Sequence, residues 1–512
     1  LTLSATESVE LTGINADGTF FTGLFADVAP DATGAGGSLL VETGSLLMAE
    51  GAQIIAGSLG EGDGGELTVR ANAVEIKGSS PDIPFPTGLF VSSLATGNGG
   101  QLTIEAQNLL VTDGAQIAAS TFGAGNAGNI TLRANSFQLD GISPTGEFVT
   151  GVFADVVEGA TGNGGNIAIE AQSLRLTAGA QIIASTFGEG KAGDISVVAN
   201  SVEVTGASPL GPSGLFTSSS DIGSGGNLTL QADLMRLSEA AQIAAGTFGS
   251  GNGGSLVISA RTIELTGSSD AGRTGLFASA VFGTGNGGDI NVVSDRLTVR
   301  DGALISASNF SSNNPDIPPG SGAAGNVNIQ AAELLLDRGG TVSADTAGGD
   351  RGNISLASPN IQMRRGSQIT TNATGTATGG NILINTETLS ALENSDITAN
   401  AEASFGGRVV ITAQGIFGTA FRPDLTPQSD ITASSQLGAQ FSGTVEINTP
   451  DADPSSGLVP LPTNAVDVEN LVARDLCAKP ELARSFFAIT GRGGLPPNPA
   501  APLTSVPETL DW

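Results

Sequence analysis

The 512-residue sequence contains no histidine, no tyrosine and a single cysteine, Cys477. One cysteine cannot form a disulfide framework, and a chain without histidine has no imidazole base and no Cys/His metal site. Aromatic residues make up only 4% and charged residues 14%, whereas glycine occurs 74 times. These values exclude an ordinary globular core built from large side chains. Hydrophobic residues, mostly aliphatic, still reach 39%, which is enough apolar surface for a folded chain.

Basic residues are also scarce: 20 Lys and Arg against 50 Asp and Glu give a formal net charge of −30. Such a chain repels phosphate backbones and anionic lipid head groups, so nucleic acid and membrane surfaces are not predicted as partners. No charged-then-apolar leader opens the chain at Leu1, and no apolar run approaches the ~18 residues of a membrane span. We therefore expect a piece of a longer exported protein, without membrane insertion.

A short phrase recurs along almost the whole chain, a Gly-Gly or Ala-Gly pair followed by alternating apolar residues. The second glycines of this phrase are Gly37, Gly65, Gly100, Gly128, Gly165, Gly193, Gly226, Gly254, Gly288, Gly325, Gly352, Gly380, Gly407 and Gly443. They are 27 to 37 residues apart, and in the first half a 28-residue coil alternates with a longer one. A period of this length is typical of a solenoid whose units stack on each other.

One coil contains three short segments with turn residues between them, at 102–106, 109–112 and 115–119. Alternation within the segments places Leu109 and Val111 inside and position 110 outside, where the equivalent residue two coils later is Arg175. One coil cannot bury its inner face alone, but parallel stacking of equivalent strands can. The predicted fold is therefore all-β, a right-handed parallel β-helix of the pectin-lyase-like kind. About fourteen coils at ~4.8 Å each would extend on the order of 65 to 70 Å.

The corners and outer positions of the coil carry further patterns. Corner glycines are expected because sharp turns often need φ > 0 and close backbone approach. Corner asparagines tolerate the same conformation and are expected to form hydrogen-bonded ladders: Asn98, Asn126, Asn163, Asn252 and Asn286.

Two phenylalanine columns are expected to be aromatic stacks rather than cofactor pockets: Phe122, Phe187, Phe248 and Phe310, and Phe25, Phe90, Phe153, Phe216 and Phe277. Insertions such as 78–86 and 140–145 follow the second segment and should line one side, where repeat proteins often bind.

The pattern changes at the C-terminal end. The repeat domain is predicted at 1–448, a linker at 449–464 and a tail at 465–512. The tail is expected to hold one short helix at 465–479, closed by Pro480, a possible strand at 485–490 and an irregular end that caps the open solenoid.

Three stretches resemble a known family: GNGGQLTI at 97–104, DGAQI at 113–117 and TGRGGLP at 490–496. The chain is similar to the filamentous-haemagglutinin-like exoproteins of two-partner secretion, in the form common in cyanobacteria, over essentially its whole length. The resemblance implies a right-handed β-helix and export through an outer-membrane β-barrel transporter as partner. It also implies a location outside a Gram-negative cell or on its outer surface, with adhesion to a glycan or protein. The family's N-terminal secretion domain is not in this sequence.

Two other functions remain open at this point, a carbohydrate-active β-helix enzyme and a purely mechanical stalk. A polysaccharide lyase or hydrolase needs carboxylates clustered with Arg, Lys or His on one outer sheet. Acidic residues such as Glu105 and Glu170 instead lie scattered at solvent-facing positions, and lysine occurs only at Lys77, Lys191 and Lys479. We therefore predict a structural or adhesive protein and not an enzyme, with no catalytic, cofactor-binding or metal residues and no cofactor.

Single residues that could carry chemistry have plainer interpretations. Asp63, in GEGDGG at 60–65, departs from a calcium-binding nonapeptide repeat and is predicted to be a turn residue. The Gly-rich corners precede strands rather than helices, which argues against phosphate-binding loops. Arg492 is interpreted as a turn arginine, although it could bind a carboxylate. Cys477 is interpreted as a small buried residue, although it could form an intermolecular disulfide.

Overall fold

The computed structural model describes residues 1–14, 21–80, 85–309, 320–349 and 351–450. These residues belong to one unit, Leu1–Pro450. They form a nearly all-β structure in which equivalent strands of successive coils pair in parallel, so the predicted parallel β-solenoid is confirmed. The predicted helix at 465–479, the strand at 485–490 and the cap lie outside the described residues, as do Cys477, Arg492 and all but the first two residues of the predicted linker.

One wall of the solenoid is a sheet of 18 strands, named here the long sheet. Its strands are Thr2–Thr12, Leu39–Ala49, Glu66–Lys77, Gln101–Thr112, Asn129–Asp140, Ile167–Thr177, Ile195–Thr205, Leu228–Ser238, Leu256–Thr266, Ile290–Arg300, Asn326–Asp337, Asn353–Ala357, Asn360–Arg364, Asn381–Asn385, Thr388–Ala391, Arg408–Thr412, Gly415–Phe417 and Thr444–Asn448.

A second wall is a sheet of 15 strands, named here the short sheet, with one strand from each of fourteen successive coils and one extra strand. Its strands are Gly23–Phe25, Gln53–Ile55, Gly88–Phe90, Gln116–Ala118, Gly151–Phe153, Gln181–Ile183, Gly214–Phe216, Gln242–Ala244, Gly275–Phe277, Leu304–Ser306, Thr341–Ser343, Gln368–Thr370, Asp396–Thr398, Thr419–Phe421 and Ser429–Thr432. Two small hairpins (Ala207–Ser208 with Gly211–Pro212, Ser268–Ser269 with Gly272–Arg273) and a 3-10 turn, Ala439–Phe441, complete the described elements. The predicted number of about fourteen coils is confirmed.

The long strands bend once, and this corrects the prediction of three separate strands per coil. In Gln101–Thr112 the pairing with the next coil passes from Ala106 to Asn108 and omits Gln107. The buried positions shift phase there, from Ile104 to Leu109, because the strand turns a corner without ending. In the last coils, from Asn353–Ala357 onward, the two halves are distinct strands as predicted.

The core is a continuous column of stacked aliphatic side chains between the two sheets. In one coil its members are Leu102, Ile104, Leu109, Val111 and Ile117, each at most 1% exposed. The predicted inner and outer positions are confirmed, since Leu110 is partly exposed and Arg175 is exposed. Each such side chain contributes about 1.5–3 kcal/mol by leaving water, so each added coil extends the core and its stabilisation.

The corner glycines are needed for close approach rather than for positive φ. A Cβ added to Gly128 would lie 2.0 Å from the carbonyl oxygen of Gly100 in the preceding coil, and its φ is outside the left-handed region. The expected close approach is confirmed and the expected positive φ is wrong at this corner. Left-handed residues occupy the next corner instead, at Asp113 (φ 57°) and Gly114 (φ 87°), where a tight turn requires them.

The predicted asparagine ladder is confirmed at the glycine corner. The backbone N–H and Nδ2 of Asn126 both donate to Oδ1 of Asn98, at 2.9 and 3.1 Å. Asn163 donates in the same way to Asn126, and Asn98 donates to Oδ1 of Asp63. Each side-chain oxygen therefore accepts bonds from the coil that follows, which fixes the register of stacking. Among the described residues, no helix is long and apolar enough to cross a membrane.

Candidate functional site

The insertions of the long coils form hairpins beside the short sheet, so the prediction that they line one side is confirmed. Antiparallel pairing closes them at Ser79–Pro86 and Ile142–Val149, and the same place in later coils holds the two small hairpins. Each hairpin follows a long-sheet strand and leads directly into a short-sheet strand. The outer face of the short sheet is therefore bordered along several coils by a row of projecting turns.

Four glutamines tie these hairpins to the solenoid. Each is the first residue of a short-sheet strand, and its Nε2 donates to a backbone carbonyl in the hairpin of the next coil. The pairs are Gln53 to Pro86 (3.1 Å), Gln116 to Val149 (3.3 Å), Gln181 to Pro212 (3.0 Å) and Gln242 to Arg273 (3.3 Å). A hydrogen bond from a fixed strand to each loop limits the movement of the loop and preorganises the face that it borders.

In the intervening coils the short strands have the sequence Gly-Leu-Phe or Gly-Val-Phe. The first and third residues point outward, and the ring folds back over the glycine of its own strand. A Cβ on Gly88 would lie 2.7 Å from Cζ of Phe90, and one on Gly151 would lie 2.5 Å from Cζ of Phe153. Glycine is therefore required for the ring to lie close to the sheet.

The expectation that the phenylalanine columns are aromatic stacks is wrong. Phe90 pairs with Ile55 in the coil before it and with Ala118 in the coil after it, so an aliphatic residue separates successive rings. Phe122 likewise alternates with Leu94 and Val157. Ring contacts among the described residues occur elsewhere, at Phe21–Phe85 and Phe405–Phe441, with centroids 4.8 and 5.3 Å apart. Phe310 lies outside the described residues.

These rings line a cavity of about 570 Å³ on the outer face of the short sheet, named here the aromatic groove. It extends over four successive coils. Its floor is Ile55, Phe90, Ala118 and Phe153, one wall is the hairpin residues Phe85, Pro86 and Phe148, and the other wall is Leu59, Leu94, Phe122 and Val157. Phe122 is 53% and Leu94 is 51% exposed, so the structure leaves apolar side chains in water here. Concave apolar surfaces of this kind are typical of binding sites.

The aromatic groove contains few polar groups. Ser120 donates a hydrogen bond to the carboxylate of Asp155 at one side of the floor. Burial raises the pKa of Asp155, which favours its neutral form, although the bond from Ser120 acts in the opposite direction. Neither lysine nor arginine occurs among the described residues that line the groove. Binding here would therefore depend on ring contacts and a few neutral polar groups.

Further along the outer face of the short sheet, the outward residues of the strands change from apolar to hydroxyl-bearing. The position held earlier by Phe, Ile or Ala is now Ser306, Ser343, Thr370, Thr398 and then Thr432, which pairs in register with Thr398. A second cavity, of about 430 Å³, lies here and is named the hydroxyl groove. Its lining includes Ser306, Ser308, Thr341, Ser343, Asp345, Gln368, Thr370 and Asn372, with Arg273 at one end. This groove presents many hydrogen-bonding groups and little apolar surface.

Asp345 is the carboxylate of the hydroxyl groove. It accepts hydrogen bonds from Ser343 Oγ at 2.8 Å, Thr370 Oγ1 at 2.9 Å and the backbone N–H of Asn372 at 2.6 Å. Burial raises its pKa, and these three bonds oppose that shift. Ser343 lies in the same coil as Asp345, and Thr370 and Asn372 lie in the next, so the carboxylate also links two successive coils.

Acidic side chains on the long sheet are not scattered but form part of an ion-pair ladder. Arg70 pairs with Glu42 (3.4 Å) and Glu105 (2.9 Å), and Arg133 pairs with Glu105 (3.7 Å) and Glu170 (3.2 Å). The predicted solvent exposure of Glu105 and Glu170 is confirmed. Exposed pairs of this kind contribute little to stability, so the ladder mainly balances like charges along the column.

No cluster of three or more Cys, Asp or Glu side chains suited to a metal ion occurs within the described ranges. Asp63 accepts two hydrogen bonds from Asn98 and so begins a corner ladder.

Sequence reasoning singled out the insertions but missed the two grooves. The aromatic hairpin residues Phe85 and Phe148, and the glutamines that hold the hairpins, were not recognised. A signal was present, because Gln-Ile and Gly-Leu-Phe alternate from coil to coil. No family model, no curated protein and no solved structure matches this chain.

Proposed function

We propose that this protein is an extended surface exoprotein of the filamentous-haemagglutinin-like kind, which binds a glycan or protein on another surface. The stacked coils supply a stiff scaffold, and the hairpin side of the short sheet supplies the binding surface. The observation that carries this proposal is the aromatic groove, a cavity of about 570 Å³ lined by phenylalanines from both the sheet and the hairpins.

The groove has the properties of a binding surface rather than of a folding defect. Its rings lie on a rigid ladder, and the hairpin wall is held by the side chains of Gln53 and Gln116. A preformed site binds at a lower entropic cost than one that must become ordered. Phe122 and Leu94 remain more than half exposed. Such an exposed apolar surface usually marks a place of interaction.

The partners and location follow from the sequence resemblance and the charge. We propose an outer-membrane β-barrel transporter as the export partner and a final position outside the cell or on its outer surface. The formal charge of −30 disfavours contact with nucleic acid and with anionic lipid.

The alternative functions make different demands on this face. A carbohydrate-active enzyme of the usual type would need two carboxylates about 5–10 Å apart. Among the described lining residues, the aromatic groove contains Asp155 and the hydroxyl groove contains Asp345, one carboxylate each. A purely mechanical stalk would have no use for an exposed aromatic groove. On this face of the short sheet, binding is therefore favoured over glycoside hydrolysis; carboxylates that lie together with arginines occur instead on the long sheet, where Glu264, Glu333 and Asp337 line a cavity with Arg296, Arg300 and Arg364.

The test is retention of the full 512-residue chain on an array of surface glycans and proteins. The informative variant is Phe90→Ala combined with Phe153→Ala, which removes both floor rings. The matched control is Val198→Ala, because Val198 is an equally apolar residue, 48% exposed, on the long sheet. We expect retention that the double substitution abolishes and the control preserves. Retention that both variants keep would place the binding surface elsewhere, and an array without any retained ligand would contradict the proposal.

A further inference from the structure

The floor rings of the aromatic groove have a regular spacing along the solenoid axis. Phe90 and Phe153 occupy the same outward position two coils apart, with Ala118 in the coil between them. Adjacent parallel strands are about 4.8 Å apart, so the two rings are separated by roughly 9.6 Å along the axis. The hairpin rings Phe85 and Phe148 occupy equivalent positions, each five residues before the floor ring of its own coil.

This spacing selects among linear ligands. In an extended peptide, side chains on one face recur about every 6.6 Å, which does not match the rings. In an extended β-linked polysaccharide, neighbouring sugars face opposite ways, so the same sugar face returns with every second unit. The distance over which the same sugar face returns is close to the axial distance of two coils. Both walls of the groove run parallel to the axis, so a linear chain can lie along it over four coils.

The charge of the groove and of the chain further limits the class of ligand that can bind. The only ionisable side chain in the described lining is Asp155, which accepts a hydrogen bond from Ser120. No cation lies in that lining to pair with an acidic sugar, and the chain as a whole is strongly negative. An anionic polysaccharide would therefore be repelled, whereas a neutral one would not.

We propose that the aromatic groove binds an uncharged, extended β-linked polysaccharide lying parallel to the solenoid axis. Alternate sugar rings lie on Phe90 and Phe153, and Phe85 and Phe148 cover them from the hairpin side. Ser92, which also lines the groove, would supply a hydroxyl for hydrogen bonds with the sugar. This inference rests on the proposed function and specifies the ligand class of the same site.

The experiment is titration calorimetry of the full chain with three soluble probes of equal length. Cellohexaose is neutral, extended and β-linked; maltohexaose is neutral but α-linked and curved; hexagalacturonate is anionic. We expect binding of cellohexaose and much weaker or no binding of the other two. Equal or tighter binding of hexagalacturonate would overturn the inference, as would equal binding of maltohexaose.

Variants locate the site. Phe153→Ala should weaken cellohexaose binding about tenfold, because loss of one aromatic contact costs up to that factor. Phe153→Leu, which keeps a similar volume without the ring, should also weaken it. The matched control is Phe216→Ala, because Phe216 sits over Gly214 in the same way but beside a hairpin with Gly211 in place of the aromatic residue. Equal loss in Phe216→Ala, or no loss in either Phe153 variant, would overturn the placement.

The outcome also separates this inference from the proposed function. If cellohexaose does not bind but the array retains another glycan or a protein that needs Phe90 and Phe153, only the ligand class is wrong. If neither assay detects a ligand, both the inference and the proposed function fail.

Discussion

Substitution of a corner glycine should open the solenoid between two coils. In Gly165→Ala the new Cβ would lie 1.7 Å from the carbonyl oxygen and 2.6 Å from the carbonyl carbon of Gly128, in the coil below. Real Cβ atoms essentially never come closer than 3.0 Å, and both contacts are with backbone that has no rotamer to change. The corner must therefore move apart by roughly 1 Å, a backbone shift of the kind that overpacking forces.

The cost can be worked out from the bonds at this corner. The N–H of Asn163 donates to Oδ1 of Asn126 at 2.9 Å, and the N–H of Asn166 donates to Oδ1 of Asn129 at 2.9 Å, so both bonds join the two coils that the clash pushes apart. Each of these bonds contributes about 1 kcal/mol, and overpacking strain adds about 1–3 kcal/mol. We therefore expect Gly165→Ala to lower the free energy of unfolding by about 3–5 kcal/mol.

The assay is urea unfolding followed by circular dichroism. Coils contact mainly their neighbours, so a weakened interface should also reduce the slope of the transition as the two halves uncouple. The control is Gly34→Ala, since a Cβ there meets no atom within 4 Å and its φ is ordinary. That variant should keep the wild-type midpoint. A Gly165→Ala protein with the wild-type midpoint and slope would refute the reasoning that corner contact requires glycine.

Three further predictions concern single side chains. Asn126→Ala removes one rung of the corner ladder and should cost about 1 kcal/mol in urea unfolding, so an unchanged midpoint would contradict the role given to the ladder. Burial raises the pKa of Asp345 above its ordinary 3.8; its contribution to stability is therefore fully present below pH 3.8 and is lost as the pH rises through the folded-state value. Asp345→Asn should remove that loss, so the wild-type protein should lose stability relative to the variant as the pH rises; a difference that stays constant with pH, or that changes in the opposite direction, would contradict this. The ring of Phe137 is fully buried in the core, between the register partners Leu109 and Leu174 of the neighbouring coils. Phe137→Leu should lower the free energy of unfolding by less than about 1.5 kcal/mol and Phe137→Ala by about 3–5 kcal/mol, measured by thermal unfolding.

The inner side of the solenoid could be predicted from the sequence because two simple rules govern it. Alternation at period two decides which side chains face the core, and the coil period decides which residues stack. Leu109, Val111 and the outward Arg175 follow from these two facts alone. The ladder of Asn98, Asn126 and Asn163 follows as well, since equal positions in successive coils must lie above one another.

The outer side could not be predicted in the same way, because it depends on contacts between different positions of neighbouring coils. The bond from Gln116 to the carbonyl of Val149 joins a strand to a hairpin 33 residues later. The aromatic groove needs that hairpin to be in place before Phe148 can face Phe153. The phenylalanine columns were misjudged for a simpler reason: rings in every second coil are too far apart to stack. The ion-pair ladder of the long sheet was not predicted, because the position of Glu105 was interpreted without Arg70 and Arg133, its partners in the neighbouring coils.

The most direct test of the account is release of reducing ends from every polysaccharide that the full chain retains, measured together with the retention itself. The account predicts retention through Phe90 and Phe153 with no increase in reducing ends over a protein-free control. Release of reducing ends above that control would contradict it and would make the protein an enzyme, whichever carboxylate carries the cleavage.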